Sequence, residues 1–337
     1  MKKTFYFLVL TVLLFGITGR AEVFAQRKIT FKLASLVPEN TPWGIKLKEM
    51  SEDWKRITNG QVELVVYHNG VAGSEADTIR KLRLNQLQGA VLTSFGMNQL
   101  TPEILTLSCP FLIRDENELN MVLDSMKPDL DKKISDAGYF PLAWSKAGWV
   151  KIFSKTPVLV PGELKRLKIG SNPEEPAMIQ AFKTIGYSVV PVTGNESLMA
   201  LNTGMIDALY QSPLIIASLQ IFGETKNMNP LNIAPIMGGI ILNRRAWETI
   251  PRQYRDQILE SAKRIERELD GEIQRLEAEA VTTMTRYGLK TNRSSPQQIQ
   301  LWYDDLERAV PSLLGTTFDR DTYNKVDTIL KAYRSKR

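Results

Sequence analysis

Hydrophobic positions take up two alternating rhythms from residue 28 onward, one of period two and one near 3.6. "KITFKLAS" alternates as a half-buried strand does. Thr41 or Pro42 then opens a helix in which Trp43, Leu47, Met50, Trp54 and Ile57 share one apolar face, and Thr58–Gly60 stops it. Strand "VELVVY", a helix from about Ser74 to Leu87 and strand "GAVLTS" follow. The order is β-α-β-α-β, the pattern of a parallel sheet with covering helices.

A second copy of this order lies downstream. Strand "RLKIG" leads to helix "EEPAMIQAFKTIG", strand "YSVVPV", helix "NESLMALNTG" and strand "MIDALYQS". The fold class expected is therefore α/β with two lobes. Two partly extended segments, "FPLAWSKAGWVKIFSKTPVLVPGEL" and "NIAPIMGGIILNRRAW", must join the lobes, and Gly148, Gly238 and Gly239 permit bends in them. From Pro251 to Tyr287 the pattern is one long helix with Ile258, Ala262, Ile265, Leu269, Ile273, Leu276, Ala280 and Met284 on its inward stripe. At 1.5 Å per residue it would run about 55 Å, long enough to cross both lobes. A coiled-coil dimer is the rival reading, but its charges show no regular heptad pairing, and a monomer is expected. The division expected is 26–150 plus about 240–265 for the first lobe. The second takes 151–239 plus about 266–337.

The start of the chain changes the picture of where it works. Lys2 and Lys3 precede an apolar run from Phe5 to Ile17, and Val23-Phe24-Ala25 offers small residues for cleavage. That is the plan of a secretory signal peptide over 1–25, implying export to the periplasm with a mature start at Gln26. A retained membrane anchor is the competing reading. Losing Lys2, Lys3, Arg20 and Glu22 lowers the formal charge from +6 to +4. The remaining Lys and Arg are dispersed, so no nucleic-acid surface is indicated.

Chemistry is sparse. Cys109, in apolar "LSCPF", is the only cysteine and His68 the only histidine. An intramolecular disulfide and Cys/His zinc sites are thereby excluded, and Cys109 reads as a buried, inert thiol. GxSxG, HExxH, Walker A and GxGxxG patterns are absent. No catalytic, metal or cofactor site is expected. Binding is another matter, because ligands of open α/β sheets sit beyond the carboxyl ends of the strands. That rule nominates Thr93 and Ser94 in one lobe, and Gln211 and Ser212 in the other.

Four segments carry a family resemblance, in order, between about Ile29 and Pro251. They are "HNGVAGSEADTIRKLRLNQLQGAVLTS", "TPEILTLSCPFLIRDENEL", "GELKRLKIGSNPEEP" and "NESLMALNTGMIDALYQSP". Together they resemble the DctP-type solute-binding subunits of TRAP (tripartite ATP-independent periplasmic) transporters. The resemblance implies a non-enzymatic receptor that closes two lobes on a small molecule and delivers it to a membrane permease. It also implies an arginine after "L-K-I", where this chain has Gly170, and one in a "G-x-R" pattern, where it has Val150 after Gly148 and Trp149. Such arginines clamp a ligand carboxylate with paired charge-assisted hydrogen bonds. Thr93 stands where some members carry Glu, Ser35 where Asn is frequent, and Gln211 or Ser212 where the family has Asn.

With both arginines missing, a neutral or largely apolar ligand is expected, in a cleft lined by Trp149, Val150 and Met237, with Gly170 opening room. A carboxylate ligand rescued by Lys151 or Lys168 is the alternative. A ligand-sensing receptor for a signalling protein is another, and an enzyme on the same scaffold the least supported.

Overall fold

The computed structural model describes residues 28–336, so the expected leader, its cleavage point and the rival anchor lie outside the described residues. No helix among the described residues is long and apolar enough to cross a membrane. The strands are β1 (Ile29–Ala34), β2 (Val62–Tyr67), β3 (Gly89–Thr93), β4 (Tyr139–Ser154), β5 (Lys168–Ser171), β6 (Ser188–Pro191), β7 (Ala208–Gln211), β8 (Asn227–Asn243) and β9 (Lys290–Thr291). They join one sheet in the order β2-β1-β3-β8-β4-β7-β5-β6, with β9 on β8.

The two predicted repeats are the two ends of that sheet. β1 lies between β2 and β3, parallel to both, and β5 lies between β6 and β7 in the same way. The long strands β4 and β8 run antiparallel to each other and connect the ends, β8 pairing β3 and β4 pairing β7. A parallel β-α-β unit buries both sheet faces under helices, and the core divides accordingly. In the first lobe Phe31 and Leu33 pack with Met50, Trp54 and Ile258, Trp54 meeting Phe31 edge-on at 5.3 Å. In the second, Phe153, Leu209 and Ile206 pack with Ala280 and Met284. A third cluster, including Ile79, Met97, Ile113, Ile152, Ile233 and Trp302, continues through both lobes.

The long helix spans Arg252–Arg286, about 52 Å. It crosses both lobes as expected: Ile258 and Ile265 belong to the first core, Ala280 and Met284 to the second. Arg264 fixes its first half, bonding Asp53 at 2.8 Å and Glu49 at 2.6 Å on the helix Pro42–Ile57.

Three features depart from the sequence reading. The helix expected over Ser74–Leu87 ends at Arg83, because Asn85 takes a left-handed turn (φ +55°). A long helix not read from the sequence spans Glu116–Asp136, burying Leu119, Val122, Met126, Leu130 and Ile134 around an internal Pro128. The last helix, Arg320–Arg334, was assigned with the second lobe but packs on elements assigned to the first. There Arg334 pairs with Glu118 at 2.7 Å, and Asp319 N–H donates to Thr106 Oγ1 at 2.9 Å.

Candidate functional site

At the carboxyl ends of β1, β3 and β7, short polar residues cap the backbone that follows. Ser35 Oγ accepts from Val37 N–H at 3.1 Å. Thr93 ends β3 and caps the short helix Ser94–Asn98. Ser212 caps the helix Pro213–Ser218 through Ile215 N–H at 3.3 Å, and Gln211 Oε1 accepts from Ser212 N–H at 2.9 Å. Ser94 is buried beside the Ser108 hydroxyl, 3.4 Å away. Much of the hydrogen-bonding capacity of these residues is therefore spent locally; Thr93 and Gln211 keep the most exposure.

Carboxyl groups come next, and the sequence reading did not nominate them. Glu75, at the start of the helix Glu75–Arg83, accepts from both Thr93 N–H and Thr93 Oγ1–H, the latter at 2.8 Å. Glu175, at the start of the second lobe's first helix (Pro176–Thr184), has no opposite charge acting on it among the described residues. The lobes bring the two groups near enough to interact. Burial first, then the charges of Glu75 and Glu174, push the Glu175 carboxyl up to about 8. Burial raises Glu75 as well; the Thr93 bonds oppose it and Glu174 adds to it. The Tyr210 phenol is raised by burial, then by Glu175 and by Cys109. No shared position in the repeats marks them: Glu75 opens the helix after the second strand of the first repeat, and Glu175 precedes the helix after the first strand of the second.

Neither candidate lysine supplies a cation here. Lys151 Nζ donates to Pro230 C=O at 2.9 Å and Asn232 Oδ1 at 2.6 Å, and Lys168 Nζ donates to Gly204 C=O. The Trp149 indole is buried against Glu116, its Nε1 3.4 Å from Glu116 Oε2. Val150 and Met237 are buried in the core that runs through both lobes. Gly170 opens no room. A Cβ built there would stand 2.7 Å from Ile206 Cδ1 and 2.8 Å from Leu209 Cδ2, both in the second lobe's core.

An apolar recess adjoins this surface. It is a cavity of about 30 Å³ lined by Phe111, Ile152, Phe182, Tyr187, Tyr210 and Ile233, among others. The Phe182 ring lies edge-on to Tyr210 at 5.2 Å and to Tyr187 at 5.7 Å. Phe111 adopts a left-handed backbone (φ +59°), which is uncommon for a bulky residue, and its N–H donates to Ile233 C=O at 2.6 Å. Cys109, two residues earlier, is fully buried, and burial raises its thiol far above the ordinary range. Folded protein should therefore not react with a maleimide over hours, and should label fully once unfolded. Rapid labelling of the native chain, followed by mass spectrometry, would contradict this packing.

The described residues form a two-lobed α/β sheet with strands crossing at its middle. The sequence matches "Bacterial extracellular solute-binding protein, family 7" (DctP) over residues 33–314, and the chain belongs to that family. Members of this family bind small molecules and work with membrane permease components, and are in general non-enzymatic. Among relatives, the 2,3-diketo-L-gulonate-binding periplasmic protein of Escherichia coli is 26% identical over 65% of this chain and 67% of its own length. A TRAP periplasmic solute-binding protein of Xanthobacter autotrophicus with bound β-D-galacturonate superposes with a TM-score of 0.75. Its identity is 19%, covering 88% of this chain and 99% of that one. Another, from Sulfurospirillum deleyianum with bound succinate, gives 0.77 at 22% identity, covering 90% and 99%. These likenesses establish the fold, including the two-lobed arrangement read from the sequence.

Proposed function

We propose that the chain is an extracytoplasmic receptor that closes its lobes on a small solute carrying no free carboxylate, and hands it to a TRAP-type permease. The observation that carries the ligand class is the charge of the cleft. Neither position where the family resemblance implies an arginine offers one to a ligand, Val150 and Gly170 both packing in the core. Lys151 and Lys168 are engaged elsewhere, and the ionisable groups beside Thr93 and Tyr210 are the carboxyls of Glu75, Glu174 and Glu175. An ionised carboxylate enclosed there without a paired cation would carry several kcal/mol of uncompensated desolvation. A neutral solute would instead use Thr93, Gln211 and Tyr210 for a few oriented hydrogen bonds. Ligand contacts to both lobes would shift the open–closed equilibrium toward closure.

An acidic solute is the second reading. It is favoured by the galacturonate and succinate found in structurally similar receptors. In this chain a protonated Glu175 would donate to the ligand carboxylate, Lys151 and Lys168 both being engaged elsewhere. The deciding experiment is to purify the exported protein, denature it, extract it, and identify the released molecule by mass spectrometry. A neutral compound at near one per chain is expected. A sugar acid or dicarboxylate recovered at that ratio would establish the second reading instead.

A further inference from the structure

The sheet passes from one lobe to the other through β4 and β8, and their ladder breaks twice where it does so. Lys146 faces Met237 and Trp149 faces Pro235, so β4 carries an extra residue against Ile236. Val150 then faces Ala234 while Ile152 faces Asn229, so Pro230–Ile233 of β8 stand opposite Lys151 alone. On either side the pairing resumes. Such breaks free backbone groups that must find other partners.

Leu231 N–H donates to Asn229 Oδ1 at 3.0 Å and Ile233 C=O accepts from Phe111 N–H at 2.6 Å. Two charged side chains supply further partners. Glu277, from the long helix, accepts from Trp149 N–H at 3.2 Å. Its carboxyl lies against Gly148, whose φ of +89° and lack of a Cβ allow the approach. Lys151 reaches the other break, donating to Pro230 C=O and to Asn232 Oδ1; Asn232 Nδ2 in turn donates to Arg114 C=O at 3.2 Å. Replacing ladder bonds by buried charges is costly, and an amide or apolar residue would normally cost less. We propose that Glu277 and Lys151 pin the two breaks in the β4–β8 ladder and so fix the pivot about which the lobes turn.

The electrostatics agree with a layer held for its geometry rather than for stability. Burial, only partly offset by the Trp149 bond and by Lys151, raises Glu277 to about 7. Burial, opposed by Glu277, lowers Lys151 to about 8. The other charges facing this pair are Glu116 on the helix Glu116–Asp136, and Lys146 of β4. Lys146 bridges Glu116 at 2.6 Å and Asp270 of the long helix at 3.0 Å. A carboxyl raised in the folded state contributes stability below its ordinary value of 4.5 that is lost as pH rises through about 7. Ionised Glu277 is therefore a destabilising group at pH 8.

The pivot needs lobe motion to exist but not any particular solute, so it can be read on the whole mature chain stripped of solute by unfolding and refolding. Lys48→Cys and Lys183→Cys place spin labels on exposed positions of the two lobes, and Cys109 is buried and stays unlabelled. Pulsed dipolar spectroscopy then gives the lobe-to-lobe distance distribution. At pH 8, Glu277→Gln and Lys151→Met should each widen it about two-fold. The parent should widen on acidification through about pH 7 while Glu277→Gln stays unchanged with pH. In parallel, Glu277→Gln should melt a few degrees above the parent at pH 8 and level with it at pH 4.5. A side chain that merely supports the fold would give the opposite melting shift. Equal widths in parent and Glu277→Gln at pH 8, or one narrow pH-independent distance in all, would overturn the pivot. If Lys151→Met does not fold, the Glu277→Gln comparison decides alone. Either failure would leave the receptor reading untouched, because that rests on the recovered solute.

Discussion

Gly170→Arg should unfold the second lobe rather than block a cleft. The sequence reading placed Gly170 where the family carries its binding arginine, and from that a folded variant with an obstructed site would be expected. The backbone of β5 points the other way at this position. A Cβ would meet Ile206 and Leu209 at under 3 Å, and Gly170 is paired on both sides, with Leu209 of β7 and Val190 of β6. Neither Ile206 nor Leu209 can retreat, because both are buried with Phe153 and Ile216. Even Gly170→Ala should cost about 1–3 kcal/mol by overpacking. For arginine the guanidinium must also lose water or push the strands apart, so a loss of more than ~4 kcal/mol is expected. That is on the order of 10 °C in melting temperature for a domain of this size. The check is the thermal midpoint of ligand-free Gly170→Ala and Gly170→Arg beside the parent. An arginine variant that melts with the parent would show that the strand can turn this position into the cleft. The family's clamp position would then be back in the site.

Succinate and galacturonate should leave the melting temperature at pH 8 within about one degree of the ligand-free value. A 1 mM ligand bound with a micromolar dissociation constant would add about 4 kcal/mol, many times that shift, so the test has room to fail. The pH dependence separates the ways it could fail. Glu175 is raised to about 8, so its proton-donating form grows as pH falls below 8. A carboxylate held by that proton would bind more tightly at pH 6 than at pH 8. Glu175→Gln, whose amide also donates, would retain much of that binding and remove its pH dependence. Carboxylate binding equally tight at both pH values would instead mean that a fixed cation enters the cleft. Lys151 would be the first suspect, because its bonds to Pro230 and Asn232 are the ones that would have to break.

Some of this molecule was set by local sequence pattern. The two β-α-β-α-β repeats, the helix Pro42–Ile57 and the long crossing helix could be read directly. Periodic burial is a local property, and Trp43–Ile57 or Ile258–Met284 state it without reference to any partner. The buried thiol was legible for the same reason, Cys109 sitting in the mostly apolar stretch Leu105–Ile113. The helix Glu116–Asp136 carried an equally regular stripe, Leu119 to Ile134, but Pro128 in its middle obscures the pattern.

Side-chain direction at the ends of β4, β5 and β7 was a different kind of information. A shift of one residue in a strand exchanges the two faces, and β4 contains three such irregularities. No pattern in the sequence announces them. Whether Gly170 met the cleft or the core, and whether Lys151 could reach a ligand, therefore depended on strand register and on the long helix lying across β4. The influence of Glu75 on Glu175 depended on still more, since the two lie on separate lobes whose relative placement the crossing strands set. Sequence pattern determined that the chain would form a two-lobed α/β fold, and the four DctP-like segments implied its role as a receptor. The tertiary structure alone decided which groups face one another inside it, because facing groups come from segments whose relative placement no local rhythm encodes.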